Sequence, residues 1–171
     1  MSLAAFVCCF YCAGMITQPL LLTTDSHQKT SALAVSIGNT LRAGDVVLLE
    51  GPIGAGKTHF ARSLIQSQLE SFEDVPSPTF TLVQVYEGIH GEIWHADLYR
   101  LSSPDEVVEL GLMDAFEDAI CLVEWPDRLA DLEPKGALKI TFSLTPQEDQ
   151  RVLKFSATSD RWTSVLDAVH T

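Results

Sequence analysis

Asp45-Val46-Val47-Leu48-Leu49-Glu50 runs directly into Gly51-Pro52-Ile53-Gly54-Ala55-Gly56-Lys57-Thr58, and then into His59-Phe60-Ala61-Arg62-Ser63-Leu64-Ile65-Gln66. The first six residues form a short apolar run rich in Val and Leu, the composition of a strand buried on both faces. The next eight fit G-x-x-x-x-G-K-[ST], a pattern that cradles phosphate where a strand precedes it and a helix follows. The stretch from Lys57 to Glu70 supplies that helix, with Phe60, Leu64, Ile65 and Leu69 at helical spacing. A random chain of this length shows the eight-residue pattern on the order of 1% of the time or less.

The spacing has a physical basis. Glycines let backbone N–H groups turn inward around phosphate oxygens with no Cβ in the way. The helix beginning near Lys57 aims the positive end of its dipole at the same anion. The Lys57 ammonium reaches the β- and γ-phosphates, and the Thr58 hydroxyl ligates the magnesium that bridges them. The expected nucleotide contacts are therefore Gly51, Pro52, Ile53, Gly54, Ala55, Gly56, Lys57, Thr58 and His59. GTPases usually read guanine through N-K-x-D; the only Asn here is Asn39, followed by Thr40, so ATP is favoured. A P-loop also needs an acidic partner for its metal, and two candidates end predicted strands: Asp97 after Ile93–Ala96, and Glu124 after Ile120–Val123. The lesser alternative for each is a solvated carboxylate or a helix cap, and position alone assigns neither a role.

Working outward, residues 26–42 carry Leu33, Ala34, Ile37 and Leu41 at helical spacing. Phe80–Tyr86 and Glu92–Asp97 read as strands joined through Glu87–Gly91. Ser103-Pro104-Asp105-Glu106 is a helix start, with a Ser cap, Pro in the first turn and Glu completing a capping box, and Gly111 is its stop. Ala119–Glu124 reads as a buried strand, 137–144 and 151–157 as an antiparallel pair, and 160–170 as a terminal helix. Helices alternate with strands to about residue 131, after which strands pair. The fold class is α/β: a single P-loop domain with a mixed, mostly parallel sheet flanked by helices and ending in an antiparallel hairpin.

The whole chain has 171 residues, 11 Lys+Arg and 23 Asp+Glu, a net charge of −12. That length suits one domain with an adequate core. The acidic balance speaks against independent nucleic-acid binding, which relies on clustered Lys and Arg. Cys8, Cys9, Cys12 and Cys121 offer no disulfide framework, and the dispersed His residues offer no zinc spacing, so a reduced, cytoplasmic protein is expected. Residues 1–19 are apolar and uncharged. The run Leu3–Ile16 is too short to span a bilayer and lacks the basic lead of a signal peptide. The expectation is a true start at Met15, with 1–19 outside the domain (a start assigned too early, or added sequence) and 20–171 the working unit.

Ser77-Pro78-Thr79-Phe80-Thr81-Leu82-Val83, His95-Ala96-Asp97-Leu98-Tyr99-Arg100-Leu101 and Val123-Glu124-Trp125-Pro126 occur in that order after the P-loop. On these motifs, from about Leu20 to Arg151, the chain resembles the TsaE (YjeE) family, ATPases of tRNA threonylcarbamoyladenosine formation. The Pro104–Gly111 stretch resembles the family's P-E-E-x-x-x-x-G segment. The resemblance implies ATP and Mg2+ as cofactors, with Lys57 on phosphate and Thr58 on the metal. It implies that Asp97 is the essential acidic residue and Glu124 a second acid near the metal. It implies that Ser77–Thr79 is a switch-like loop with Thr79 near the γ-phosphate, that Thr30 lies near the base, and that Arg151 lies close to the nucleotide. Pro52-Ile53 replaces the usual Asp-Leu, His59 stands where a second Thr is common, and residues 1–19 have no counterpart.

The family's activity implies slow ATP hydrolysis, weak alone, that resets a complex of the partner proteins TsaB and TsaD, with tRNA touched only through those partners and no membrane involved. Two other readings compete. A small-molecule kinase would need an Arg-bearing lid, yet Arg100, Arg128 and Arg151 are isolated. A nucleotide-dependent interaction module would bind ATP with negligible turnover and use Trp94, Trp125 or Trp162 at its interface, each otherwise a core or satellite-cluster aromatic. His95, beside Asp97, is expected to be an ordinary strand residue facing the other side.

Overall fold

The strand–loop–helix at 45–70 stands at the centre of a seven-stranded sheet. The structure, a computed structural model, describes residues 19–170. The extension assigned to residues 1–19 falls almost entirely outside the described residues. Strand β2 (Val46–Glu50) pairs in parallel with β5 (Ile120–Glu124) on one side and β6 (Leu138–Leu144) on the other. Both β2 and β5 are covered on both faces, which is why they read as unbroken apolar runs. Beyond β5 lie β4 (Gly91–Asp97), parallel to it, and β3 (Val83–Gly88), antiparallel at the edge. Beyond β6 lie β7 (Arg151–Ser156) and β1 (Leu20–Thr24), each antiparallel to its neighbour. The order is β1-β7-β6-β2-β5-β4-β3.

One face is covered by α1 (His27–Gly38), α2 (Lys57–Gln68) and α5 (Thr163–His170), whose Ala34, Ile37, Phe60, Leu64 and Val165 pack on Ile93, Leu122 and Phe142 of the sheet. The other is covered by α3 (Pro104–Glu109), α4 (Leu112–Asp118) and a short 3-10 segment, Pro126–Leu132. There Val107, Leu112, Ala115 and Leu129 meet Leu48, Ala96 and Val123. Among the described residues no helix is long and apolar enough to cross a membrane.

Four details depart from the sequence reading. β1 was unread: five residues with no turn-linked partner find β7 from across the chain, Leu22 opposite Leu153. β3 begins at Val83 rather than Phe80; residues 78–82 form a turn closed by Leu82 N–H donating to Pro78 O, with Leu82 at φ 66°. Gly111, at φ 77°, does end α3, but it also starts α4, a second helix that was not anticipated. The terminal helix begins with a 3-10 turn at Asp160–Trp162 before α5. The capping box of α3 is present as read, with Glu106 Oε1 accepting from Ser103 N–H.

Arg161 anchors the C-terminal segment to the sheet's far end. Its guanidinium donates to Asp45 Oδ1 at 3.0 Å, to Asp45 Oδ2 and to the Thr40 carbonyl. The Asp45 side chain is 7% exposed, so losing Arg161 leaves a carboxylate with little access to water. Arg161→Ala is expected to cost about 3 kcal/mol, the range for breaking a buried pair from one side. Urea unfolding measures this; a cost below about 1 kcal/mol would show the pair to be an ordinary surface one.

Cys121 is buried in β5 and its thiol donates to the Ala115 carbonyl at 3.3 Å. Burial pushes the thiol up to about 12. With Cys8, Cys9 and Cys12 changed to Ser, the folded protein is expected to leave Cys121 unmodified by a disulfide reagent at mildly alkaline pH, and to react fully once denatured. Rapid modification in native buffer would contradict this burial.

Candidate functional site

Gly51 fixes where the loop leaves the sheet. It holds φ 143°, and a Cβ there would lie 2.6 Å from the Phe142 carbonyl of β6. Gly54 and Gly56 also take positive φ, 76° and 103°, and they turn the loop into the start of α2. The result is an open cleft of about 180 Å³ lined by Gly54, Gly56, Lys57, Thr58, His59 and Glu124. Pro52, Ile53 and Ala55 complete the loop but do not line the cleft; Ile53 is exposed and Ala55 is buried.

Lys57 folds back over its own loop. Its Nζ donates to the Gly51 carbonyl at 2.7 Å and to the Pro52 carbonyl at 3.0 Å, and it lies 4.1 Å from the centre of the Trp125 ring. Burial holds its ammonium below the usual lysine range, with Glu124, Asp97 and Asp127 pulling the other way. The ammonium is thus partly stripped of water and held by neutral acceptors that an anion can replace.

Two hydroxyl–carboxylate pairs stand beside the lysine. Thr58 Oγ1 donates to Glu124 Oε2 at 2.9 Å, and Thr79 Oγ1 donates to Asp97 Oδ2 at 2.6 Å. Asp97 and Glu124 end β4 and β5 and are register partners, so the parallel pairing itself brings the two acids side by side. This is the carboxyl edge where open α/β sheets place their ligands. Asp97 Oδ1 also accepts from the Tyr99 N–H, and Thr79 shares a hydrogen bond with Ser77 at 2.8 Å. The turn at 78–82 is what carries Thr79 to Asp97; an unbroken strand from Phe80 would have pointed alternate residues away.

Among the described residues no three His, Cys, Asp or Glu side chains form a group able to hold a metal ion. The oxygen donors of Thr58, Glu124, Asp97 and Thr79 suit magnesium, which keeps phosphate and water among its ligands instead of needing a complete protein cage. The residues present therefore fit a magnesium nucleotide.

Thr30 and Arg151 lie outside the cleft's lining. The Thr30 hydroxyl is buried, donates to the Ser26 carbonyl and shares a hydrogen bond with the Thr24 hydroxyl, while Thr24 is the register partner of Arg151 across β1 and β7. Thr30, on α1, is thus linked to the end of β1 that pairs with Arg151. His59 does line the cleft. Its Nε2 is shared between Ser31 Oγ at 2.9 Å and the His27 carbonyl at 3.1 Å, so the replacement of a second Thr ties α2 to α1.

His95 does not face away from Asp97. Residues two apart in a strand share a face, and His95 Nε2 meets Glu124 Oε1 at 3.0 Å with both side chains buried. That period-two relation to Asp97 was the signal available in the sequence. Of the tryptophans, Trp162 is core, with its indole N–H on the Gly136 carbonyl, whereas half-buried Trp125 stacks under Lys57 and against Tyr99.

The chain is 37% identical over 128 residues to the tRNA threonylcarbamoyladenosine biosynthesis protein TsaE of Rickettsia bellii, covering 75% of this chain and 88% of that one. It is 34% identical over 140 residues to the protein of the same name from Bacillus subtilis, covering 81% and 86%. The crystal structure of Bacillus subtilis YdiB superposes with a TM-score of 0.72 at 26% identity, over 90% of this chain and 95% of that one. The model of the family described as threonylcarbamoyl adenosine biosynthesis protein TsaE matches residues 24–153. That span takes in the loop, the Thr79 turn and both acidic strand ends, and the chain belongs to the TsaE family.

Proposed function

We propose that this protein binds and slowly hydrolyses ATP with Mg2+ in the cytoplasm, and that the hydrolysis drives the cycle of a TsaB–TsaD complex forming threonylcarbamoyladenosine on tRNA. The observation that carries this reading is the pairing of Thr58 with Glu124 and of Thr79 with Asp97 beside the Lys57 loop.

Each residue has a task that its present contacts suggest. Lys57 exchanges two carbonyl acceptors for oxygens of the β- and γ-phosphates, where its charge offsets theirs. Thr58, Glu124 and Asp97 would hold magnesium, which supplies counter-charge to the same phosphates. Asp97 orients the attacking water, since its carboxylate is fixed by Tyr99 N–H and by the Thr79 hydroxyl. Thr79 belongs to a turn tied to Asp97 by this hydroxyl and by the Asp97 N–H donating to the Leu82 carbonyl, so a change in the turn's order as the γ-phosphate leaves is coupled to Asp97. The net charge of −12 fits docking to protein partners while they contact the tRNA. Nothing in the site favours phosphoryl transfer to a small molecule: Arg151 donates to Gln150 O, Arg128 pairs with Asp127, and Arg100 lies against Phe80.

A reconstituted reaction tests the role. TsaB, TsaD, tRNA and the threonylcarbamoyl donor are combined with and without this chain and ATP, and modified nucleoside is counted per TsaD. Repeated rounds should require both the chain and ATP. Equal yield without the chain would refute the proposal.

A further inference from the structure

We infer that His95 is a positioning residue for the metal-side acid: it fixes Glu124 so that one carboxylate oxygen always faces the Thr58 hydroxyl and the magnesium nucleotide. This rests on the ATPase reading above.

The two oxygens of Glu124 are divided between two partners. Oε2 accepts from Thr58 in the cleft, and Oε1 meets His95 Nε2 behind it. An ionised carboxylate only accepts, so Nε2 carries the hydrogen. The other ring nitrogen, Nδ1, is buried and has no hydrogen-bond partner. A fully buried imidazole with one orphaned nitrogen is a poor choice as core filling, because Leu or Phe would avoid that cost. The imidazole gives one thing that those residues cannot: a single directed N–H at Glu124. β4 supplies that N–H with little freedom, since His95 is 0% exposed and its strand is locked to β5 from Ile93 to Asp97. Outer partners of metal-binding groups act in this way, and their loss typically weakens metal affinity or activity about 10–100-fold.

The test compares His95→Leu, His95→Gln and His95→Asn. The Gln amide can place an N–H near the lost Nε2; the shorter Asn side chain can only mimic Nδ1. Three quantities are measured: affinity for a fluorescent ATP analogue in EDTA, the Mg2+ concentration giving half-maximal tightening of that analogue, and phosphate release with TsaB and TsaD. Melting is followed in parallel. His95→Leu should keep its metal-free affinity within about 2-fold while the Mg2+ midpoint rises about 10–100-fold. His95→Gln should return most of that loss and His95→Asn should not. A wild-type Mg2+ midpoint in His95→Leu overturns the inference, as does an equal loss of affinity with and without Mg2+. Should His95→Leu fail to fold, the Gln–Asn difference decides, and equal Mg2+ midpoints for those two would overturn the inference. A wild-type protein that neither binds the analogue nor responds to Mg2+ would overturn the ATPase reading itself.

Discussion

Replacing Asp97 by Ala is expected to lower Mg2+-dependent ATP turnover by about 10²–10⁴-fold, the range for removing a positioned acid or base. Asp97 is the last residue of β4, 4% exposed, and both of its oxygens are occupied, by Thr79 Oγ1 and Tyr99 N–H. Its direction is therefore set before any nucleotide arrives, and that preorganisation is what turnover depends on. Ala also removes the acceptor shared by the Thr79 hydroxyl, which keeps Ser77, and by the N–H of exposed Tyr99, which costs about 1 kcal/mol of stability. Asp97→Asn separates the two effects, because the amide can still satisfy both neighbours. It should melt close to wild type yet lose most of the turnover. Phosphate release with the partners present checks this, and wild-type turnover in either variant would remove Asp97 from its role.

The second large effect is at Lys57. Lys57→Met should weaken ATP binding about 100-fold or more, from roughly 3 kcal/mol of charge-assisted hydrogen bonds to phosphate. Stability should move little. Met keeps an unbranched apolar chain near Trp125, and it removes an ammonium that burial already disfavours, at the cost of two carbonyl contacts and one ring contact. A calorimetric titration alongside a melting curve measures both. A variant that binds ATP at wild-type strength would mean that the loop amides and helix dipole hold the phosphates unaided.

What the sequence disclosed was local. The strand–loop–helix at 45–70, the capping box at Ser103 and the buried strand at 120–124 each carry their signal within a few residues. Features set by distant pairing were hidden. β1 has five residues and no nearby turn; its partner is β7, at the opposite end of the domain sequence. Phe80–Tyr86 has the composition of a strand, but the turn at 78–82 prevails over propensity because it delivers Thr79 to Asp97. Asp97 and Glu124 were both visible as acids at strand ends, yet only the parallel register of β4 and β5 shows that they stand side by side. His95 was misread although the alternation rule places it on the Asp97 face. Its contact with Glu124 crosses to the neighbouring strand, which periodicity along one strand does not reveal.

Inorganic phosphate released from Mg2+–ATP, with TsaB and TsaD present, tests the central claim most directly. Release that needs Mg2+, rises when the partners are added and collapses in Asp97→Asn is the predicted result. No release under these conditions, or ATP consumed with a phosphorylated small molecule as the product, would contradict the claim.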